Sequence, residues 1–229
     1  MVRTRSAGIS AIAFSLLTVA ALVLVSPPGG NYSAGDVTSF TASGHRPLVV
    51  LGLYAALAAS LALLGLVLHL RTTVSPGWRQ VLVLGGGGLG VVALPIGFAL
   101  SATVPIGLSA GGGAAIDPRT TYMFSQAGLA VVYGVALAGT GLALLGAAGA
   151  MRGWLRIATY VGGAGGVLSL AWFPSWLLLL WGLVAGAAML RPGTEAPPAS
   201  SVPRQGGNER RAEQGRLTDG RTPEDAVKC

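Results

Sequence analysis

Five polar residues are the only ones outside the apolar stretches whose types invite chemistry as a group: Asp36, His45, Arg46, Asp117 and Arg119. An imidazole and two carboxylates are ordinary metal ligands. With two guanidiniums added, the same set could bind a polar headgroup or pair as salt bridges. No ligand spacing selects among these readings, and structural pairing asks least of the chain. The second histidine, His69, falls near the end of an apolar segment beside Arg71, where a helix C-terminus favours partial positive charge. The two histidines are expected on opposite sides of a membrane. A haem pair, a His-rich metal site and a Ser-His-acid triad therefore lack support. No catalytic, cofactor or metal residues are assigned, and the chain is not expected to be an enzyme.

A second stretch looks chemical. In "VLVLGGGGLG", residues 81–90, Gly85, Gly87 and Gly90 have the spacing G-x-G-x-x-G of a dinucleotide turn. Such a turn needs an intact helix after it and an acid about 20 residues further on for the ribose. Pro95 falls inside that helix, and the next acid is Asp117, which looks like a helix cap. A transmembrane helix explains the glycines better. Gly86 and Gly90 are four apart, on one helix face, and the pattern recurs at Gly162 and Gly166 and at Gly182 and Gly186. Ala58 with Ala62, and Gly134 with Ala138, extend it. Small residues at this spacing let helix backbones approach where lipid provides no hydrophobic drive. The expectation is helix packing and no nucleotide.

The elements that must position these residues follow from composition. Of 229 residues 52% are hydrophobic and 10% charged, with a mean hydropathy of +0.66. Up to Arg191 the only acids are Asp36 and Asp117. Uncharged intervals cover residues 6–35, 80–116, 120–151 and 157–190, and a spanning helix needs about 20 mostly apolar residues. The expected fold is an all-α membrane helix bundle over residues 1–191, with six spans at about 7–26, 47–70, 79–102, 122–150, 155–173 and 175–190. The first follows "MVRTR" and ends in "SPPGG" without a small-residue cleavage site, so it reads as a retained span. The last two are short and turn at Pro174, so a full crossing and a shallow re-entrant hairpin are both open.

Local signals set the boundaries. Ser75 ahead of Pro76 and Asp117 ahead of Pro118 read as helix caps, and Pro47 opens the second span. Pro95 and Gly97 are expected to bend the third span. Trp78 and Trp154 suit one interface, Trp172 and Trp176 the other. With the N-terminus inside, Arg3, Arg5, Arg71, Arg79, Arg152, Arg156 and Arg191 collect on the cytoplasmic side against Arg46 and Arg119 outside. That bias puts both termini in the cytoplasm, with outer loops at 27–46 and 103–121. The basic residues punctuate span ends and form no stripe, so the net charge of +7 does not imply nucleic acid. Residues 192–229 lack apolar periodicity and balance six basic against six acidic residues, which reads as a disordered cytoplasmic tail. The single cysteine, Cys229, excludes a disulfide framework.

The stretch "NYSAGDVTSFTASGHRPLVVLGLYAALAASLALLGLVLHLR" and the later "DPRTTYMFSQAG" entering a long apolar span carry a family likeness. In this layout, with polar positions at Asp36, Phe40, His45, Arg46 and Asp117, most of residues 1–191 resembles uncharacterised actinobacterial six-span membrane proteins classed as a domain of unknown function. The resemblance implies a six-helix bundle in the plasma membrane and no particular activity. Two functions are carried forward. One is a non-enzymatic protein that organises lipid, or that binds a protein partner or a second copy through its small-residue faces. The other is binding or transport of a neutral or lipid-like molecule in a pocket shaped by the outer loops and the bent third span. Within the spans the groups for such a pocket are hydroxyls: Tyr54, Tyr133, Thr140, Thr159, Tyr160 and Ser169. Bonds from those hydroxyls to backbone carbonyls or neighbouring helices are the plainer expectation.

Overall fold

The computed structural model describes residues 2–110, 117–171 and 174–191. Trp172 and the tail from residue 192 lie outside the described residues. Within them the chain is helical and contains no strand. The elements are α1 (Val2–Val25), α2 (Ala34–Thr41), α3 (Arg46–Thr73), α4 (Trp78–Ala110) and α5 (Pro118–Val131). A π-helical segment, Val132–Leu137, joins α5 to α6 (Ala138–Ala148). The helix α7 (Gly153–Val167) ends in a 3-10 turn, Leu168–Ala171, and α8 is Ser175–Leu190.

Four helical stretches are long and apolar enough to cross a membrane: Arg5–Val25, Arg46–Thr73, Trp78–Gly107 and Pro118–Ala148. The helices α7 and α8 are shorter. In packing order the chain forms a ring. α1 packs on α3, α3 on α4, α4 on α5 and α6, α6 on α7, α7 on α8, and α8 returns to α1. The core between them mixes a few large side chains, Phe14, Leu63, Leu94 and Phe98, with many alanines. Leucines and valines such as Leu61 and Val92 point outward. A surface this apolar suits lipid better than water.

Small residues set the helix spacing. A Cβ added at Gly86 would lie 2.5 Å from the Gly139 carbonyl, and one at Gly90 would lie 2.5 Å from Thr140 Oγ1. The same atom at Gly166 would meet Gly141 Cα at 2.7 Å, and at Gly162 the Trp181 Cβ at 2.6 Å. On α8, Gly186 faces the Gly8 carbonyl, 2.8 Å from where a Cβ would be, and Gly182 faces Ser15 and the Ala11 carbonyl. Each of these six glycines therefore abuts a helix of its own chain. Within the quartet, Gly86 serves α6 and Gly87 receives Val67 of α3, whereas Gly85 and Gly88 meet nothing within 4 Å. The quartet lies inside one continuous helix, not at a strand-to-helix turn.

Helix boundaries follow local chemistry, with three departures from the sequence reading, the first being that α4 runs past the expected end at 102 to Ala110, through part of the expected loop 103–121. Asp117 caps α5, its Oδ2 accepting the Thr120 N–H at 3.3 Å, with Pro118 in the first turn. Pro47 lies in the first turn of α3. Ser75, however, does not cap α4, which begins at Trp78 after Gly77. Gly77 has φ +139, and its carbonyl accepts the first turn's N–H groups from Gln80 and Val81. Proline at 76 sits in the turn before that glycine, so the helix starts two residues late. The segment 27–46 also contains the extra helix α2, capped by Ser33 Oγ accepting the Asp36 N–H and anchored by the buried Val37 and Phe40.

The end of α1 is a left-handed stop. Ser26 has φ 42, and its N–H donates to the Leu22 carbonyl at 2.9 Å, the single-bond helix termination that glycine usually provides. Pro27 and Pro28 then prevent any continuation.

Candidate functional site

The five polar residues singled out from the sequence are placed by separate local duties. His45 Nε2–H donates to the Val25 carbonyl at 3.1 Å, closing the last turn of α1, and its ring leans on Phe40 at 5.7 Å. Asp117 is taken up by its own helix N-terminus. Asp36 and Arg119 are exposed in the first turns of α2 and α5. Arg46 is half-buried at the start of α3, and its Nε has no hydrogen-bond partner. Among the described residues no group of three His, Cys, Asp or Glu side chains comes together to hold a metal.

The two segments that carry these residues do meet, through other residues. The helix α2 packs on α5, and Tyr32 stands edge-on to Tyr122 with centroids 5.5 Å apart. From α5, Tyr122 donates to the Gly30 carbonyl. One turn on, Ser125 Oγ and Gln126 Nε2 both donate to the Pro28 carbonyl, at 3.2 and 2.9 Å. The proline-rich strap at residues 26–30 is thus held by its carbonyls, which have no helix to pair with. The strap-holding side chains fall at spacings of three and four, which puts them on one face of α5. That face was visible in "TTYMFSQAG"; its target was not, since the bonds cross more than 90 residues of sequence.

Beneath the strap lies a cleft of about 910 Å³. Its walls are Val19, Leu22 and Val23 of α1 and Leu129, Ala130 and Tyr133 of α5 and the π segment. Leu170 of the 3-10 turn and Trp176 of α8 line the inner end, and Ser26, Gly29, Gly30 and Gln126 line the strap end. Helix length creates it. The α7–α8 pair turns at the depth of Leu170, while α5 continues outward with α4 and α2 as its neighbours. The space beside α5, between it and α1, is left open. At the rim Val23 is 69% exposed and Leu170 73% exposed, so the cleft opens sideways through apolar side chains.

The bundle has two helix irregularities, of which the π segment borders this cleft through Tyr133 and the Pro95 turn of α4 does not line it, and each leaves a carbonyl that a hydroxyl takes up. Pro95 has no N–H to offer Val91, four residues before it, and Ser60 of α3 donates to the Val91 carbonyl at 2.6 Å. In the π segment Ser169 donates to the Tyr133 carbonyl. Hydroxyls from neighbouring helices repair broken backbone pairing in this way where water is absent. The two irregular stretches lie against each other: a Cβ at Gly97, two residues past Pro95, would sit 2.7 Å from Val132 Cγ2. Two more of the hydroxyls named from the sequence are occupied by structure. Thr140 donates to the Ala136 carbonyl and Thr159 to the Leu155 carbonyl, and Thr159 Oγ1 accepts the Trp181 indole N–H at 3.1 Å. Tyr54 and Tyr160 face outward. Of the hydroxyl-bearing residues named from the sequence, Tyr133 alone lines the cleft.

An apolar, largely preformed cavity with a few polar groups at one end is the general form of a small-molecule site, for which volumes of about 300–1,000 Å³ are usual. Among the described residues its lining holds no nucleophile–base pair and no ionisable group except the Tyr133 phenol. The arrangement can bind and orient an amphiphile. No protein-family model, curated protein or solved structure matches the chain.

Proposed function

We propose that this chain is a non-enzymatic, six-span protein of the plasma membrane that holds a lipid-like molecule in the cleft between α1 and α5. The observation that carries the reading is the cleft itself: about 910 Å³, apolar along its length, polar at the strap end and open sideways. Four membrane-length helices supply the setting. Crossing by the short pair is supported by reach. α7 and its 3-10 turn extend ~30 Å at standard rises, close to the hydrocarbon thickness. α8 runs beside α1 from Gly8, opposite Gly186, to the depth of Val19–Val23, where Trp176 joins the cleft wall. Arg5, Arg71, Arg79, Arg152, Arg156 and Arg191 lie at the end of the ring away from the cleft, with Arg46 and Arg119 at the cleft end. The positive-inside bias then puts the cleft in the outer half of the bilayer and both ends of the bundle's chain in the cytoplasm.

Native mass spectrometry of the protein released from its own membrane tests this, run beside Ala130→Trp, which fills the cleft from α5. A discrete lipid-sized mass on the wild type, lost in the variant at unchanged helicity, is expected. No added mass, or equal retention by both proteins, would overturn the reading; a second copy or a partner protein in place of lipid would redirect it to assembly.

A further inference from the structure

We infer that the occupant of the cleft is an uncharged, hydroxyl-bearing lipid (a glyceride or a long-chain alcohol) whose headgroup is held by Gln126 and the strap. The inference rests on the reading that the cleft takes lipid, and it concerns which lipid. The first argument is charge. Among the described residues no Asp, Glu, Lys, Arg or His lines the cleft, and a charged headgroup drawn into an apolar site without a partner is strongly disfavoured. The nearest candidate cation along α5 is Arg119, seven residues before Gln126 and so ~10 Å further out on the same helix. Tyr122 stands between the two, and its bond to the Gly30 carbonyl closes the strap over the cleft below Arg119. A phosphate at the depth of Gln126 would meet no cation among the described residues of the cleft wall.

The second argument is hydrogen-bond capacity. Donation to the Pro28 carbonyl fixes which way the Gln126 amide points, with nitrogen toward the strap. That single bond leaves the amide oxygen and the second N–H for a ligand. A hydroxyl can use both, since it donates and accepts. Ser26 adds a hydroxyl at the same end, and Gly29 and Gly30 let a headgroup approach the strap backbone without a side chain in the way. The apolar remainder follows from the other walls: a chain lying along Val19 and Leu22 would leave the cleft past Leu170 and Trp176 into the bilayer.

The test uses the full chain in vesicles of equimolar dioleoylglycerol, dioleoylphosphatidylcholine and dioleoylphosphatidylglycerol, with lipid retained after gentle release counted by native mass spectrometry. Wild type should retain dioleoylglycerol about tenfold over dioleoylphosphatidylglycerol at equal abundance. Gln126→Leu should cut that preference about three- to tenfold, the range a lost neutral hydrogen bond produces. Ser125 keeps the strap attached through its own bond to the Pro28 carbonyl in that variant. Phosphatidylglycerol or phosphatidylcholine retained as well as the glyceride, in a manner Ala130→Trp abolishes, would overturn the headgroup inference and leave the cleft reading standing. Lipid retention indifferent to Ala130→Trp, or none at all, would overturn both. The wild-type preference decides the matter even if Gln126→Leu fails to fold.

Discussion

The Ser60 hydroxyl donates to the Val91 carbonyl at 2.6 Å, and Val91 stands four residues before Pro95, the residue that would otherwise have supplied its partner. The relationship joins α3 to α4 at the point where α4 loses a backbone bond. Ser60→Ala should destabilise the bundle by about 1–3 kcal/mol, the penalty of an orphaned buried acceptor. In a Pro95→Ala background position 95 regains its N–H, and the same Ser60→Ala change should lose less than about 0.5 kcal/mol. Reversible unfolding in bicelles measures both. Equal losses in the two backgrounds would mean that the hydroxyl does not answer the proline.

Neighbouring glycines should behave oppositely. Gly86→Ala puts a methyl against the Gly139 carbonyl and 3.0 Å from the Ala143 nitrogen, so α4 and α6 must separate. A loss of at least about 2 kcal/mol is expected, as for overpacking against a rigid neighbour. Gly85→Ala meets open space and should be neutral, or stabilising by up to about 1 kcal/mol through helix propensity. Thermal melts of the two single variants settle the contrast.

These positions show what the sequence could and could not reveal. The spacing of Gly86 and Gly90, or of Gly182 and Gly186, marks helix faces that need a close neighbour, and residue type is enough for that. It does not say whose helix the neighbour is. Here both pairs are occupied within the chain, α4 by α6 and α8 by α1. Apolar length and end signals likewise place the helices approximately, but α4 runs on to Ala110 beyond the expected 102, and Gly77's positive φ moves its start past Ser75. The signature of α2 is legible in Ser33 three residues before Asp36 with Val37 and Phe40 behind it, but eight residues carry too little apolar periodicity to stand out from a loop. The five polar residues drew attention by type alone. The cleft was not legible, because it is made by the unequal lengths of elements far apart in sequence and is lined by ordinary apolar side chains.

His45 should matter through its bond to α1 and not through a metal. His45→Ala leaves the Val25 carbonyl unpaired at the end of α1, and about 1–3 kcal/mol of stability should go with it. Asp36→Ala, at an exposed position, should change stability by less than about 0.5 kcal/mol. Adding zinc or a chelator should leave the wild-type melting temperature unchanged. A metal-dependent shift abolished by either substitution would restore the ligand reading of these residues.

Topology is open to labelling, with Cys229 first replaced by serine. Ser43 lies beside α2 at the cleft end and Ser75 between α3 and α4 at the opposite end; both are exposed. Ser43→Cys should react with a membrane-impermeant maleimide on intact cells, and Ser75→Cys only after permeabilisation. The reverse pattern would invert the orientation and put the cleft in the inner leaflet.

The most direct measurement is photocrosslinking in the native membrane with a lipid whose acyl chain carries a diazirine, followed by peptide mapping of the adducts. Occupancy of the cleft requires adducts concentrated on residues 19–23 and 129–133, and their loss in Ala130→Trp. Adducts spread evenly over outward-facing positions such as Leu61 and Val92, indifferent to that substitution, would show lipid acting only as solvent and would contradict the account.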